Sequence, residues 1–201
     1  MRLTRLKYAF FALICAMSVF LTGCGNKTTY KNGIADIKSA NITVSFPEGW
    51  TVGVNDDAYG VISDKVNSGN ANEIKERYES VGAQMLLSAH SSDDSVTVTV
   101  IQSEKGDMST EEKLQLQHDN TVYNFRSLGF FTESSVGEYE WGGVLGYLSV
   151  VRAFDKEGDT ECITEGRQFY FERGELVFSL VIEFVGGSKE GADVIDISST
   201  V

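Results

Sequence analysis

Four strand-length apolar segments follow one another between residues 132 and 185, joined by links short enough for hairpins. They are Thr132 to Tyr139, Val144 to Phe154, Glu161 to Phe171 and Leu176 to Val185. The links are Trp141-Gly142-Gly143, Asp155 to Asp159 and Glu172-Arg173-Gly174-Glu175. A parallel crossover needs a dozen or more residues, so these neighbours run antiparallel. Leu176, Phe178, Leu180, Ile182 and Phe184 recur with period two and give the last segment a strongly apolar face. Any fold for this chain has to bury that face.

The rest of the chain supplies partners for it. Ile42, Val44 and Phe46 alternate with Thr43 and Ser45 as a half-buried strand, and Trp50, Val52 and Val54 resume the alternation after Pro47-Glu48-Gly49. Asp56-Asp57 and Asp64 to Asn72 read as loops, with Tyr59 to Ser63 a strand between them. Asn72 to Ser80 reads as a short helix capped by Asn72. Gln84 to His90 and Ser95 to Gln102 read as strands around the turn Ser91-Ser92-Asp93-Asp94. Ser109-Thr110-Glu111-Glu112 is a capping box, and Leu114, Thr121, Val122, Phe125 and Leu128 follow at helical spacing until Gly129. Lys189 to Ser198 reads as a last short helix with Ala192 and Ile195 turned inward.

The first 23 residues belong to a different category. Arg2, Arg5 and Lys7 precede an uncharged apolar run from Tyr8 to Leu21, the layout of a secretory signal peptide. The run ends in Leu21-Thr22-Gly23-Cys24, which resembles the lipobox of bacterial lipoproteins. That resemblance implies a diacylglyceryl group on the Cys24 thiol and cleavage between Gly23 and Cys24. The expected division is a signal peptide over 1–23, a lipidated N-terminus and flexible tether over 24–39, and one domain over 40–201. The expected location is extracytoplasmic, anchored to a bacterial cell membrane through the lipid on Cys24. Gly25 gives no inner-membrane retention signal of the Asp type.

Removing residues 1–23 leaves 178 residues, enough for one domain with a real core. It takes away three basic residues and no acidic ones, so the formal net charge moves from −12 to −15. Such a domain is repelled by nucleic acid and by anionic lipid surfaces, and neither is an expected partner. Of three cysteines, Cys15 leaves with the signal and Cys24 is committed to lipid. Only Cys162 remains, so no intramolecular disulfide forms and the core alone must hold the domain.

Two segments together resemble the PsbP-like family, which includes a photosystem II extrinsic subunit and many bacterial lipoproteins of unassigned role. One is Ile42 to Trp50, similar to the family's opening strand and its Phe-Pro-x-Gly-Trp turn. The other is the downstream order of capped helix, Gly142-Gly143, meander strands and short closing helix. The resemblance covers Ile42 to Ser199. It implies an α+β fold with a single antiparallel sheet of about six to seven strands sandwiched between helices. It also implies an accessory or binding protein, and it carries over no catalytic residue set.

The chemistry-bearing residues are sparse. His90 and His118 fall in no metal-ligand or triad pattern, and each is expected to be structural. Asp56-Asp57 and Asp93-Asp94 are the candidates for calcium, but they lack the spaced acids of a calcium loop and are expected to be solvated. Trp50, Tyr59, Tyr139, Trp141 and Tyr147 are candidates for a ligand groove, with core packing the expected role for most and Trp141 the exception. Three functions compete: a non-enzymatic lipoprotein binding another cell-envelope protein, a small-ligand or metal-capturing lipoprotein, and a hydrolase of unrecognised type. The first is the expectation, with no cofactor, no metal and no catalytic residue. A groove of convergent polar groups favours the second, and a contact between Cys162 and a histidine favours the third.

Overall fold

A computed structural model of the chain describes residues 27–66, 70–186 and 196–199. Strands β1 (Thr29–Lys31), β2 (Ile34–Ile37), β3 (Ile42–Ser45) and β11 (Asp196–Ser199) form a small antiparallel sheet in the order β1-β2-β3-β11. The main sheet has seven antiparallel strands: β4 (Thr51–Val54), β5 (Ala83–His90), β6 (Val96–Glu104), β7 (Phe131–Trp141), β8 (Val144–Phe154), β9 (Thr164–Arg173) and β10 (Leu176–Val185). Their order is β4-β5-β6-β10-β9-β8-β7. Three helices complete the described residues: α1 (Asp56–Val66), α2 (Ala71–Ser80) and α3 (Thr110–Ser127). The fold class is therefore α+β, built on one large antiparallel sheet.

Both faces of the main sheet bury apolar residues, and each face has its own cover. One face carries Val96, Val98, Val100, Phe169, Phe171, Phe178, Leu180, Ile182 and Phe184, packed with Ala35, Ile37, Ile42 and Val44 of the small sheet. Phe169, Phe171 and Phe178 stack in series, with ring centroids 5.6 and 5.3 Å apart. The opposite face lies under the helices. Ala58, Tyr59, Ile62, Ile74 and Tyr78 pack on Ala83, Met85 and Ile101, while Phe125 and Leu114 of α3 pack on Val151, Ala153, Tyr170 and Val177. Among the described residues, then, a second sheet covers the face where the resemblance implied more helix.

Three expectations on the N-terminal side are corrected. Residues 29–37, expected as tether, are strands, because Ala35 and Ile37 are fully buried against the main sheet. Thr28 is already fixed: its N–H donates to Asn55 Oδ1 at 3.1 Å, and its carbonyl accepts from Asn55 Nδ2 at 2.8 Å. Asp56-Asp57 and Tyr59 to Ser63, expected as loop and strand, form α1. Ala58, Tyr59 and Ile62 share its buried stripe, and the two aspartates occupy the first turn, where the helix dipole favours negative charge. Helix α2 begins at Ala71 under an Asn70 cap, whose side chain accepts from the Glu73 N–H at 3.0 Å, so the cap stands two residues earlier than expected.

Helix α3 matches its sequence signature. Ser109 Oγ accepts from the Glu112 N–H at 3.2 Å, and Glu112 Oε2 accepts from the Ser109 N–H at 2.9 Å. Gly142 and Gly143 take positive φ of 57° and 80° in the two-residue turn between β7 and β8. The last expected helix lies largely outside the described residues, and 196–199 pair instead with β3 as a strand.

Gly146 shows how tightly β8 meets β9. A Cβ there would fall inside contact distance of the Tyr170 carbonyl oxygen and 2.9 Å from Phe169 Cε2. Gly146→Ala is expected to destabilise the domain by about 1–3 kcal/mol through overpacking against backbone. Phe178→Ala is expected to cost about 3–5 kcal/mol. Chemical denaturation reads both, and a Gly146→Ala midpoint equal to wild type would show that the two strands separate without cost.

Candidate functional site

The sequence candidates scatter over the fold. Trp50, Tyr139 and Trp141 lie on the small-sheet side, where Trp50 meets Phe46 at 5.5 Å and Trp141 meets Phe169 at 5.9 Å between ring centroids. Tyr59 and Tyr147 lie on the helix side. The five aromatics therefore line no common groove. Asp56 binds Lys75 at 2.8 Å. Asp93 accepts from Ser91 Oγ at 2.6 Å and from the Ser95 N–H at 3.0 Å, and these bonds hold its carboxyl well below the usual range, at about 2. Asp94 lies 2.8 Å from His90 Nδ1. Both aspartate pairs thus act as structural caps and ion-pair partners. Among the described residues no cluster of three His, Cys, Asp or Glu is arranged to hold a metal ion.

Cys162 is half-buried, and its thiol donates to the carbonyls of Thr164 at 2.8 Å and Ala153 at 3.5 Å. Burial pushes its pKa up, away from the thiolate a nucleophile needs. His118 is buried under α3 with Nδ1 2.8 Å from Ser149 Oγ, and loss of hydration lowers its pKa, so it is a neutral packing group. Cys24 and Gly23 lie outside the described residues.

Two regions stand out that the sequence did not single out. The first is a polar seam on the helix face of the main sheet. Strand register places Ser88, Thr99, Val181, Gln168 and Ser149 in one row across five strands. All five are buried, and Ser88 Oγ and Gln168 Oε1 find no hydrogen-bond partner among the described residues. The next row holds His90, Thr97 and Glu183. Glu183 is half-buried there, and desolvation drives its carboxyl up to about 7 while the Lys65 ammonium at the end of α1 pulls the other way. The missed signal is the polar residue breaking the apolar run of β10, Glu183 between Ile182 and Phe184.

The second region is the outer margin at β7. This strand is 11 residues long, pairs without interruption along β8, and among the described residues has no strand on its other side. Most of it is exposed. Glu138 and Glu140 line one face with Leu145, which is 72% exposed, while Tyr139, 47% exposed, stands on the other beside half-buried Trp141. An edge strand presents a row of unpaired backbone donors and acceptors, and proteins ordinarily keep such strands short, bulged or charged. Here the carboxylates of Glu133, Glu138 and Glu140 are the only such device, and they give the edge a negative charge.

The raised carboxyl makes a direct prediction. A folded-state value near 7, above the usual 4.5, means the native chain binds more protons than the unfolded chain between those values. Glu183 therefore favours folding below about pH 4.5, and that contribution is lost as pH rises through about 7. Glu183→Gln is expected to gain stability over wild type progressively across this window. Thermal unfolding of both chains at stepped pH checks it, and parallel curves would show that Glu183 titrates normally.

Among the described residues no helix is long and apolar enough to cross a membrane. The chain is similar in structure to cyanobacterial PsbP from Synechocystis sp. PCC 6803, solved in solution. The two share 12% identity over 83% of this chain and 86% of that one, at a TM-score of 0.43. It is also similar to a crystal structure from Bacteroides thetaiotaomicron VPI-5482, at 12% identity and a TM-score of 0.41, covering 87% of this chain. The chain spans 48% of the length of that second protein. No protein-family model matches the chain, and no curated protein matches it. Neither likeness assigns a residue role or an activity to this chain.

Proposed function

We propose that this chain is a PsbP-like bacterial lipoprotein, anchored through Cys24 outside the cytoplasm. On this reading it is a non-enzymatic accessory protein that binds another cell-envelope protein along the β7 edge. The observation that carries the binding role is the 11-residue uninterrupted edge, with Tyr139 and Trp141 on one face and Glu138, Glu140 and Leu145 on the other. Strand addition takes its affinity from main-chain hydrogen bonds and its specificity from alternate side chains. Aromatic anchors beside such an edge are the residue types that dominate binding energy. The expected partner segment is extended and basic. The histidines and Cys162 support a non-catalytic role, because their bonds are to Ser91, Asp94, Ser149 and backbone carbonyls rather than to one another.

The small-ligand alternative has one observation in its favour, the two unpartnered polar atoms of the seam. Both are closed to solvent, so a ligand there must first displace a helix.

The anchor itself gains a geometric consequence. Thr28 is held by Asn55, and only three residues separate it from Cys24, four residue steps with a reach of at most about 14 Å. The domain would stand against the bilayer rather than swing on a tether. In-cell crosslinking from the acylated chain is expected to capture one envelope protein. Capture should fall several-fold for Cys24→Ala and for the double variant Glu138→Lys with Glu140→Lys. Equal capture by all three chains would overturn the proposal.

A further inference from the structure

The hairpin turn decides which main-chain groups of β7 face outward. Gly142 and Gly143 make a two-residue turn of positive φ, and in such a hairpin the closing pair, Trp141 and Val144, exchanges both main-chain bonds. Bonded and unbonded pairs alternate from there. The odd-numbered residues from Phe131 to Trp141 therefore bond to β8, and the even-numbered ones from Thr132 to Glu140 turn their N–H and C=O groups outward. The side chains of the even-numbered set lie on the helix side, where Val136 packs with Leu114 and Tyr170. A long edge of this kind is a template for pairing with another chain.

The strand is complementary to itself about Val136, the midpoint of its 11 residues. Laid antiparallel on a second copy with Val136 opposite Val136, it sets Thr132 opposite Glu140, Ser134 opposite Glu138, Glu133 opposite Tyr139 and Phe131 opposite Trp141. Even-numbered residues meet even-numbered ones, so the outward groups of the two copies face one another. Like charges directly opposite destabilise a strand pair, and in this register no carboxylate faces another. Sliding the centre to Glu138 sets that residue against its own copy, and sliding it to Tyr139 sets Glu138 against Glu140. The chain's net charge of −12 opposes self-association, so keeping the carboxylates apart decides the register.

A cation already stands where this register brings an acid. Arg126 Nε donates to Thr132 Oγ1 at 2.9 Å, and Arg126 is exposed with no ion pair among the described residues. Thr132 is the residue opposite Glu140 of the second copy, and both lie on the helix side, so the guanidinium meets that carboxylate. Symmetry repeats the ion pair at the other end. Helix α3 leaves the margin clear, because its Phe125 and Leu114 seat on Val151, Ala153, Tyr170 and Val177, one to three strands in from β7.

We propose that β7 pairs with β7 of a second copy of this chain about a two-fold axis at Val136. The two main sheets join into one, with an Arg126–Glu140 ion pair at each end of the seam. An isologous contact of this kind closes on itself and leaves neither edge open to further chains. The inference rests on the reading of β7 as a pairing edge and gives that edge its resting occupant. A basic partner segment competes for the same outward groups, so partner binding and self-pairing exclude each other. Both copies turn their helix layer to the same side, so anchors on both reach a single bilayer lying along the joined sheet.

The test is thiol crosslinking of the full-length chain in membranes, each variant read against the parent, whose Cys162 is half-buried. Val136→Cys is expected to give a disulfide-linked dimer on oxidation with copper-phenanthroline. Ser135→Cys, exposed and one residue from the axis, is the second reporter and is linked by a short bifunctional thiol reagent. Glu140→Cys is the control, because eight residue steps along the strand put it about 27 Å from its own copy. Linking at residues 135 and 136 is expected several-fold above that at residue 140 and in the parent. In the Ser135→Cys chain, Arg126→Glu and Glu140→Arg should each lower linking several-fold, and the two together should restore it. Linking through Ser135→Cys no greater than through Glu140→Cys overturns the self-pairing and leaves the partner-binding reading standing. A charge-swapped pair that links no better than either single change overturns the register. Self-linking as expected, with no envelope protein captured in cells, overturns the partner reading and leaves the self-pairing standing.

Discussion

The structure depends on a main sheet that has no polar side to offer water at its centre. In β10 one alternating set, Phe178, Leu180, Ile182 and Phe184, is fully apolar and buried, and on the other face Val177 and Val181 are buried beside half-buried Ser179 and Glu183. A sheet of this kind cannot end the fold; it requires a layer above and a layer below. Three helices supply one layer among the described residues. The other comes from the N-terminal strands, which is why residues just beyond the proposed cleavage site are drawn into the core. Each fully buried aromatic or aliphatic side chain contributes roughly 1.5–3 kcal/mol, and Cys162, the one cysteine among the described residues, is free and adds no crosslink.

Asn55 joins the two layers at one corner. Its backbone takes a left-handed φ of 55°, its N–H donates to the carbonyl of Leu86, and its side chain clamps Thr28 at both N–H and carbonyl. Leu86 is the extra residue of a bulge between Met85 and Leu87. The Met85 N–H left over by that irregularity donates to the Tyr59 hydroxyl of α1 at 3.0 Å. This one asparagine thus holds the approach to the first strand through its side chain and the helix start and the sheet irregularity through its backbone, which suits its tolerance of left-handed backbone and its local hydrogen bonding.

Where periodicity was strong, the sequence told the fold: β8 and β10 occupy the expected residues, and α3 starts at its capping box. Where several weak cues competed, it did not. Asp56-Asp57 read as a loop because acids mark loops as well as helix starts, and Gly60 interrupts the helical stripe behind them. Strands β1 and β2 are so short that two buried residues, Ala35 and Ile37, carry the assignment, and exposed Ile34 blurs their alternation. The polar seam was hidden for another reason. Its members sit on different strands, and only the register brings Ser88, Thr99, Gln168 and Ser149 into one row. The β7 edge was equally illegible, since strand order and not strand content decides which strand is left at the margin.

That strand order has a mechanical consequence. Strand β1 runs beside β4, at one margin of the main sheet, and β7 is at the other. Seven strands make six spacings of about 4.8 Å, so roughly 29 Å of hydrogen-bonded ladder separates the two margins. A hydrogen-bonded ladder is stiff across its strands. If the chain is anchored beside β1 as proposed, the ladder would hold the β7 edge at a fixed distance from the anchor, and a segment pairing with β7 would be selected by its position as well as by its sequence.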